Sequence, residues 1–167
     1  MELLEGHLRI DDLETFLETI GTVADDHDAT IQAFDADAIA GRRHLERAVE
    51  LADRAIERGE NVARERAVEI LLYAAGRRQI DRALELGVDE GEGEVVILLD
   101  GGDEVGARET LEARLDRLDL EPAPVLEQLA EPRLVRQFEI TDAEREATDA
   151  DLEALVSERV ALLDVEK

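Results

Sequence analysis

Apolar residues along this 167-residue chain fall into two rhythms, one of period two and one of period three to four. Residues 3–10 alternate, with Leu4, Leu8 and Ile10 on one side, and predict a strand. Asp11 or Asp12 can cap a following helix through Leu13, Phe16, Leu17 and Ile20, and residues 29–34 (ATIQAF) predict a second strand. From Arg42 to Arg58 the apolar positions are Leu45, Ala48, Val49, Ala52, Ala55 and Ile56, the spacing of one helix face. Gly59 is a left-handed stop, and Asn61 is an N-cap for a helix carrying Val62, Ala63, Ala67, Ile70, Leu71 and Ala74 up to Gly76. A third helix is expected through Ile80, Ala83 and Leu84 to Gly87.

Residues 94–99 (EVVILL) are a nearly continuous apolar run, expected as a buried central strand closed by Gly101–Gly102, and 103–118 are expected helical. Pro122, Pro124 and Pro132 punctuate a less regular stretch, with a strand or short helix around 123–129 and a helical turn at 133–138. The tail begins at Thr141-Asp142 and leads to an amphipathic helix near 149–164 with Leu152, Leu155, Val156, Val160 and Leu163. The expected fold is α/β in the broad sense (α+β): one helix-rich domain over 1–167 on a small mixed sheet, its strand order left open. No repeat or long linker interrupts the pattern.

Composition adds two things. At 44% apolar the chain can bury a core without staples. It has no Cys, which excludes disulfides and thiolate metal sites. The N-terminus lacks a basic region followed by a long apolar run, and no stretch approaches the about 18 apolar residues of a membrane span. A soluble, cytoplasmic protein is expected.

Charge changes the picture more. The net charge is −25, with 18 Arg and a single Lys. Such self-repulsion loosens a fold in ordinary buffer, but at molar salt the Debye length falls to about 3 Å and most of it is screened. Acids spread along the whole chain fit a proteome adapted to high salt. The alternative is an acidic partner-binding protein or nucleic-acid mimic.

Few motifs carry chemistry. His7, His27 and His44 have no metal-ligand spacing, and there is no H-E-x-x-H, G-x-S-x-G, P-loop or G-x-G-x-x-G. With 44 acids, carboxylate pairs arise by chance, so they give only weak support to a hydrolase. No metal and no cofactor are expected. One segment stands out: residues 41–82 hold ten Arg against eight acids, net +2, while the other 125 residues hold nine cations against 36 acids. Arg forks onto phosphate, stacks on bases and stays charged at any relevant pH. Arg42-Arg43-His44 lies at one expected helix start and Arg77-Arg78-Gln79 at another, after Gly76; helix starts favour anions. Arg47, Arg54, Arg58 and Arg66 read as surface pairs with nearby acids, and Tyr73 reads as core.

The order Ile39-Ala40-Gly41-Arg42-x-His44-Leu45, then Ala48, Gly59-x-Asn61-Val62-Ala63, Glu69-x-Leu71-Leu72-Tyr73-x-x-Gly76-x-Arg78-Gln79-Ile80, Ala83 and Gly87 resembles the PRPK-binding protein (TPRKB) family. That family is the small kinase-binding subunit of the KEOPS complex. The ending Glu158-Arg159-Val160-Ala161-Leu162-Leu163 resembles its C-terminal helix, whereas 103–140 shows little match. Arg43 stands where relatives commonly have an acid, Val62 replaces Ile, and Ala75 replaces Ser.

The resemblance implies a non-catalytic, archaeal accessory role in tRNA threonylcarbamoyladenosine modification. The implied partners are the small atypical kinase/ATPase subunit and tRNA, held by its single-stranded 3′ CCA end. On that basis Arg42, His44, Asn61, Arg64, Arg77, Arg78 and Gln79 are the expected residues lining or shaping the RNA site. Asn61 could equally be only a cap, and His44 only a packed residue. Val160 and Leu162 are candidates for the kinase contact. A rival from another class is a protein–protein adaptor whose arginine cluster meets an acidic protein.

Overall fold

The chain's structure is a computed structural model that describes residues 1–117 and 120–166. By contacts it divides into two compact units: unit 1, Met1–Ala36 with Gly87–Val125, and unit 2, Asp37–Leu86 with Leu126–Lys167. The class is α+β.

Unit 1 holds the sheet. Strand β1 (Glu2–Ile10) leads into helix α1 (Leu13–His27), which Asp12 caps by accepting from the Glu14 and Thr15 backbone N–H groups. Asp28, left-handed at φ 53°, ends α1 and starts β2 (Thr30–Asp35). Strand β3 (Gly91–Asp100) and the two-residue β4 (Glu121–Pro122) complete the order β2-β3-β1-β4. Every pairing is antiparallel, with Leu4 opposite Ile97, Ala33 opposite Ile97 and Gly6 opposite Pro122, so the sheet is not mixed as expected. The reason is connectivity: β1 and β3 are anchored along their full length in opposite directions, and β2 returns against β3. Residues 95–99 are buried throughout, as a central strand requires. The expected strand at 94–99 is longer at its start because Gly91–Gly93 pair with Leu8–Ile10.

Helix α1 and helix α5 (Glu104–Asp116) lay Phe16, Ile20, Val23, Ala107, Leu111 and Leu115 on Leu4, Leu8, Ile10, Ile31, Ala33 and Ile97 of the sheet. Position 118 of the helix expected at 103–118 lies outside the described residues. The stretch expected at 123–129 holds a short 3-10 turn, Val125–Glu127, just after β4.

Unit 2 is helical. Helices α2 (Arg42–Glu57), α3 (Arg66–Ala75) and α4 (Ile80–Ala83) are followed by a 3-10 turn at Leu84–Leu86; then come α6 (Glu131–Gln137), α7 (Asp142–Glu146) and α8 (Leu152–Glu166). Its buried side chains include Leu45, Leu51 and Ala52 of α2, Ile70 and Leu71 of α3, and Val156, Val160 and Leu163 of α8. The α2–α3–α8 packing follows the 3.6-residue periodicity of each helix.

One predicted boundary moves. Asn61 does not cap α3, which begins at Arg66 with Glu65 as its N-cap. The Glu69 carboxylate accepts from the Val62 and Ala63 backbone N–H groups at 3.1 and 2.8 Å, and the Asn61 amide donates to the Ala63 carbonyl at 2.8 Å. These bonds commit 61–63 to a turn and remove them from the helix. No described helix is long and apolar enough to cross a membrane.

Candidate functional site

The arginine-rich segment is a helical hairpin. Helices α2 and α3 run antiparallel, because His44 near the start of α2 bonds Ala74 near the end of α3, while Asp53 bonds Arg66 at the other end. The Arg66 fork grips Asp53 at 2.7 and 2.9 Å, a bidentate pair that pins the two helices in register.

At the first end, α2 begins without a side-chain cap of its own, since Gly41 is the N-cap. Glu153 of α8 supplies one: its Oε1 accepts from the Arg43 backbone N–H at 3.0 Å. The anion expected at this helix start is therefore the chain's own carboxylate, and the site is taken. Gly41, at φ 146°, leaves room for it; a Cβ there would lie 2.5 Å from Glu153 Oε1.

His44 is fully buried. The Ala40 N–H donates to its Nδ1 at 3.1 Å, and its Nε2 donates to the Ala74 carbonyl at 2.7 Å. An N–H on one side and a carbonyl on the other fix the neutral tautomer with hydrogen on Nε2. Burial pushes its pKa down to about 4. Its ring meets Phe138 edge-on, with centroids 5.4 Å apart. Both nitrogens are used, so His44 shapes this end and offers nothing to a ligand.

Gly76 closes α3 in the left-handed conformation at φ 63°. After it the two adjacent arginines part company. Arg77 is half-buried; its Nη2 donates to the Gln137 carbonyl at 3.1 Å, and its Nη1 lies 3.7 Å from Glu139. Arg159 braces the same turn from α8, donating to the Phe138 carbonyl at 3.1 Å and pairing with Glu144. Gly76, Arg77, Phe138, Glu139, Arg159 and Leu162 thereby surround a cleft of about 240 Å³. Arg78 is exposed and makes no side-chain hydrogen bond or ion pair with the described residues; Gln79, also exposed, starts α4. Arg77 is thus a brace, and Arg78 is the free cation of the pair.

The remaining arginines sort by partner. Arg47 and Arg54 both pair with Glu50, as expected of surface pairs, whereas Arg42, expected at the RNA site, pairs with Glu46. Arg58, expected to pair with a nearby acid, has no side-chain partner among the described residues because no carboxylate comes within reach of it. Among the described residues of this segment, Arg43, Arg58, Arg64, Arg78 and Arg82 have no side-chain partner. Tyr73 is core, its hydroxyl donating to Asp164 at 3.2 Å.

The fold also partitions charge. Unit 1 holds 4 Arg against 22 Asp and Glu, net −18; unit 2 holds 15 Lys and Arg against 22, net −7. The expected site residues do not form one patch. Arg42, His44, Arg77, Arg78 and Gln79 share one end of the hairpin. Asn61 and Arg64 lie beyond the opposite end, and the 16 residues of α2, at about 1.5 Å each, put roughly 24 Å between those ends.

The family model described as kinase binding protein CGI-121 matches residues 10–164. The chain belongs to the CGI-121 family. The match includes the 103–140 stretch, which carries little of the motif likeness seen in 39–87. No curated protein matches the chain. The CGI-121 family is that of a non-catalytic, kinase-binding subunit of KEOPS.

Of the two residues expected at a CGI-121 kinase contact, Val160 is 0% exposed and packs inside unit 2, because it lies on the inward stripe of α8 with Val156 and Leu163. Leu162 is 45% exposed, on the outward side. The bracing roles are not legible in the sequence: Glu69 and Arg159 enter only as members of the family-like motifs and Glu153 not at all, because nothing in local spacing marks their long-range partners.

Proposed function

We propose that the chain is the accessory subunit of a KEOPS complex, binding the small kinase/ATPase subunit and holding tRNA by its 3′ CCA end. The tRNA reading rests on one observation above all: five arginines of the 41–82 segment have no side-chain partner among the described residues, in a chain where acids outnumber cations by more than two to one. A guanidinium left unpaired amid so many carboxylates is available to phosphate or to a base face. The CCA end is assigned to the hairpin end with Arg78 and Gln79. Arg64 and Asn61, at the opposite end, meet a different part of the same tRNA. Arg42, held by Glu46, joins only by exchanging a surface pair worth at most about 0.5 kcal/mol. In this reading His44 and Arg77 hold the geometry.

The kinase contact is assigned to the outward side of α8 at Leu162. The high overall acidity is read as adaptation to a high-salt archaeal cytoplasm, where counterion release drives RNA binding weakly and stacking and hydrogen bonds carry more of it. The test is filter binding at molar KCl with intact tRNA and with tRNA lacking its terminal CCA. Stronger binding of intact tRNA is expected. Equal binding, or none, overturns the CCA role and favours an adaptor that meets an acidic protein. Copurification of a kinase-like subunit from a high-salt cell tests the other half.

A further inference from the structure

One face of α1 in unit 1 is unpartnered. Glu14, Leu17, Glu18, Gly21 and Asp25 are exposed and share one side of the helix, opposite the buried Phe16, Ile20 and Val23. Leu17 is 50% exposed, in a unit whose apolar residues are otherwise mostly inside. Beside it runs a shallow groove of about 660 Å³, with Leu13 and Leu17 as its apolar wall and Asp12, Glu14, Glu18 and Glu90 as its carboxylates. Asp12 is used in capping, and Glu90 accepts from the Leu13 backbone N–H at 3.1 Å. The Glu14 and Glu18 side chains make no hydrogen bond or ion pair with the described residues.

Gly21 adds a separate observation. A mid-helix glycine costs about 1 kcal/mol relative to alanine. Nothing in the fold asks for it, since a Cβ there would meet nothing within 4 Å. A glycine on an open helix face lets another backbone come close.

Charge selects the occupant. Residues 10–41 contain no Lys or Arg, and the surrounding unit is net −18. A nucleic acid or a second copy of this face would bring its own anions into direct contact with these carboxylates, and like charges in contact repel even at molar salt. We infer that this groove docks an amphipathic helical protein segment that carries Arg or Lys beside aliphatic side chains. The aliphatic residues cover Leu13 and Leu17, the cations reach Glu14 and Glu18, and the helix backbone packs over Gly21. At molar salt only charge pairs in direct contact survive screening, so the apolar contact sets the affinity and the carboxylates set the choice of partner.

The test uses the full chain and three synthetic helical peptides: one with Leu and Arg on one face, one with those Leu replaced by Ser, and one with those Arg replaced by Glu. Amide chemical shifts are followed by NMR in molar KCl. The Leu/Arg peptide is expected to shift amides in 13–22 and Glu90 and to bind at least about tenfold tighter than either control. Leu17→Glu and Gly21→Leu should each abolish this binding while the far-UV circular dichroism and tRNA binding stay unchanged. Equal affinity for the Leu/Arg and Ser/Arg peptides, shifts spread over the acidic surface, no binding, or indifference to both substitutions overturns the inference.

Discussion

Glu153 caps the first turn of α2 from α8, and the space its carboxylate fills is the space a Cβ at Gly41 would need. Two sequence-distant residues thus form one device. Glu153→Ala leaves the Arg43 N–H without its acceptor and is expected to cost about 1 kcal/mol, as loss of a cap does. Gly41→Ala costs more, roughly 1–3 kcal/mol, because φ 146° is strained for any side chain and the new methyl meets the carboxylate. In the Glu153→Ala background the second of these costs disappears. A thermal-denaturation double-mutant cycle should therefore show Gly41→Ala less damaging in the double variant than alone; strict additivity would dissociate the two residues.

His44 makes stability depend on pH. Its folded pKa is held at about 4 by burial, against an ordinary 6.5. Below 6.5 the unfolded chain takes up this proton first, so stability is lost as pH falls through 6.5 toward 4, by at most roughly 3 kcal/mol. Denaturant titrations between pH 7 and 5 should show this slope in the native chain. A His44→Gln variant should start less stable, since Ala40 N–H and Ala74 O lose well-placed partners, and should show a flatter slope. An unchanged slope would mean His44 is protonated when folded.

Arg77 and Arg78 separate by readout. Arg78→Ala should weaken binding of intact tRNA about five- to tenfold in filter assays with no change in melting temperature, because it abandons no partner among the described residues. Arg77→Ala should lower the melting temperature by a few degrees, because the Gln137 carbonyl and Glu139 lose their donor. The reverse pattern would place the RNA contact on Arg77.

The roughly 24 Å between the hairpin ends gives a finer expectation. Arg64→Ala should reduce binding of intact and CCA-less tRNA alike, whereas Arg78→Ala should matter only when the CCA end is present. Equal behaviour of the two variants would mean one continuous patch.

Glu69 holds the loop that carries Arg64. Glu69→Gln should raise hydrogen exchange at Val62 and Ala63, whose N–H groups it accepts, by about 1–3 kcal/mol in local opening energy while α3 stays helical. Protection unchanged at both amides would assign the turn to Asn61 alone.

What the sequence determined by itself is whatever depends on local order. The alternation at 3–10, the apolar run at 94–99 and the helical faces of 42–58 and 149–164 gave elements within a few residues of those observed, because burial on one face imposes its period on the chain. The arginine island was equally legible, as a count, and so was the family, as an ordered set of residues. Tertiary structure decided the rest, because each remaining question concerned a partner distant along the chain. Asn61 looks like a cap until Glu69 claims the next two N–H groups. The start of α2 looks like an anion site until Glu153 fills it. Arg77 and Arg78 look alike until the carbonyl of residue 137 takes one of them. Val160 and Leu162 are two positions apart on α8; the apolar stripe already carried Val160, and the packed helix buries it and leaves Leu162 outward. Charge and hydrogen-bonding capacity are written residue by residue; which of them are spent inside the molecule, and which remain for a ligand, is settled only when the chain folds back on itself.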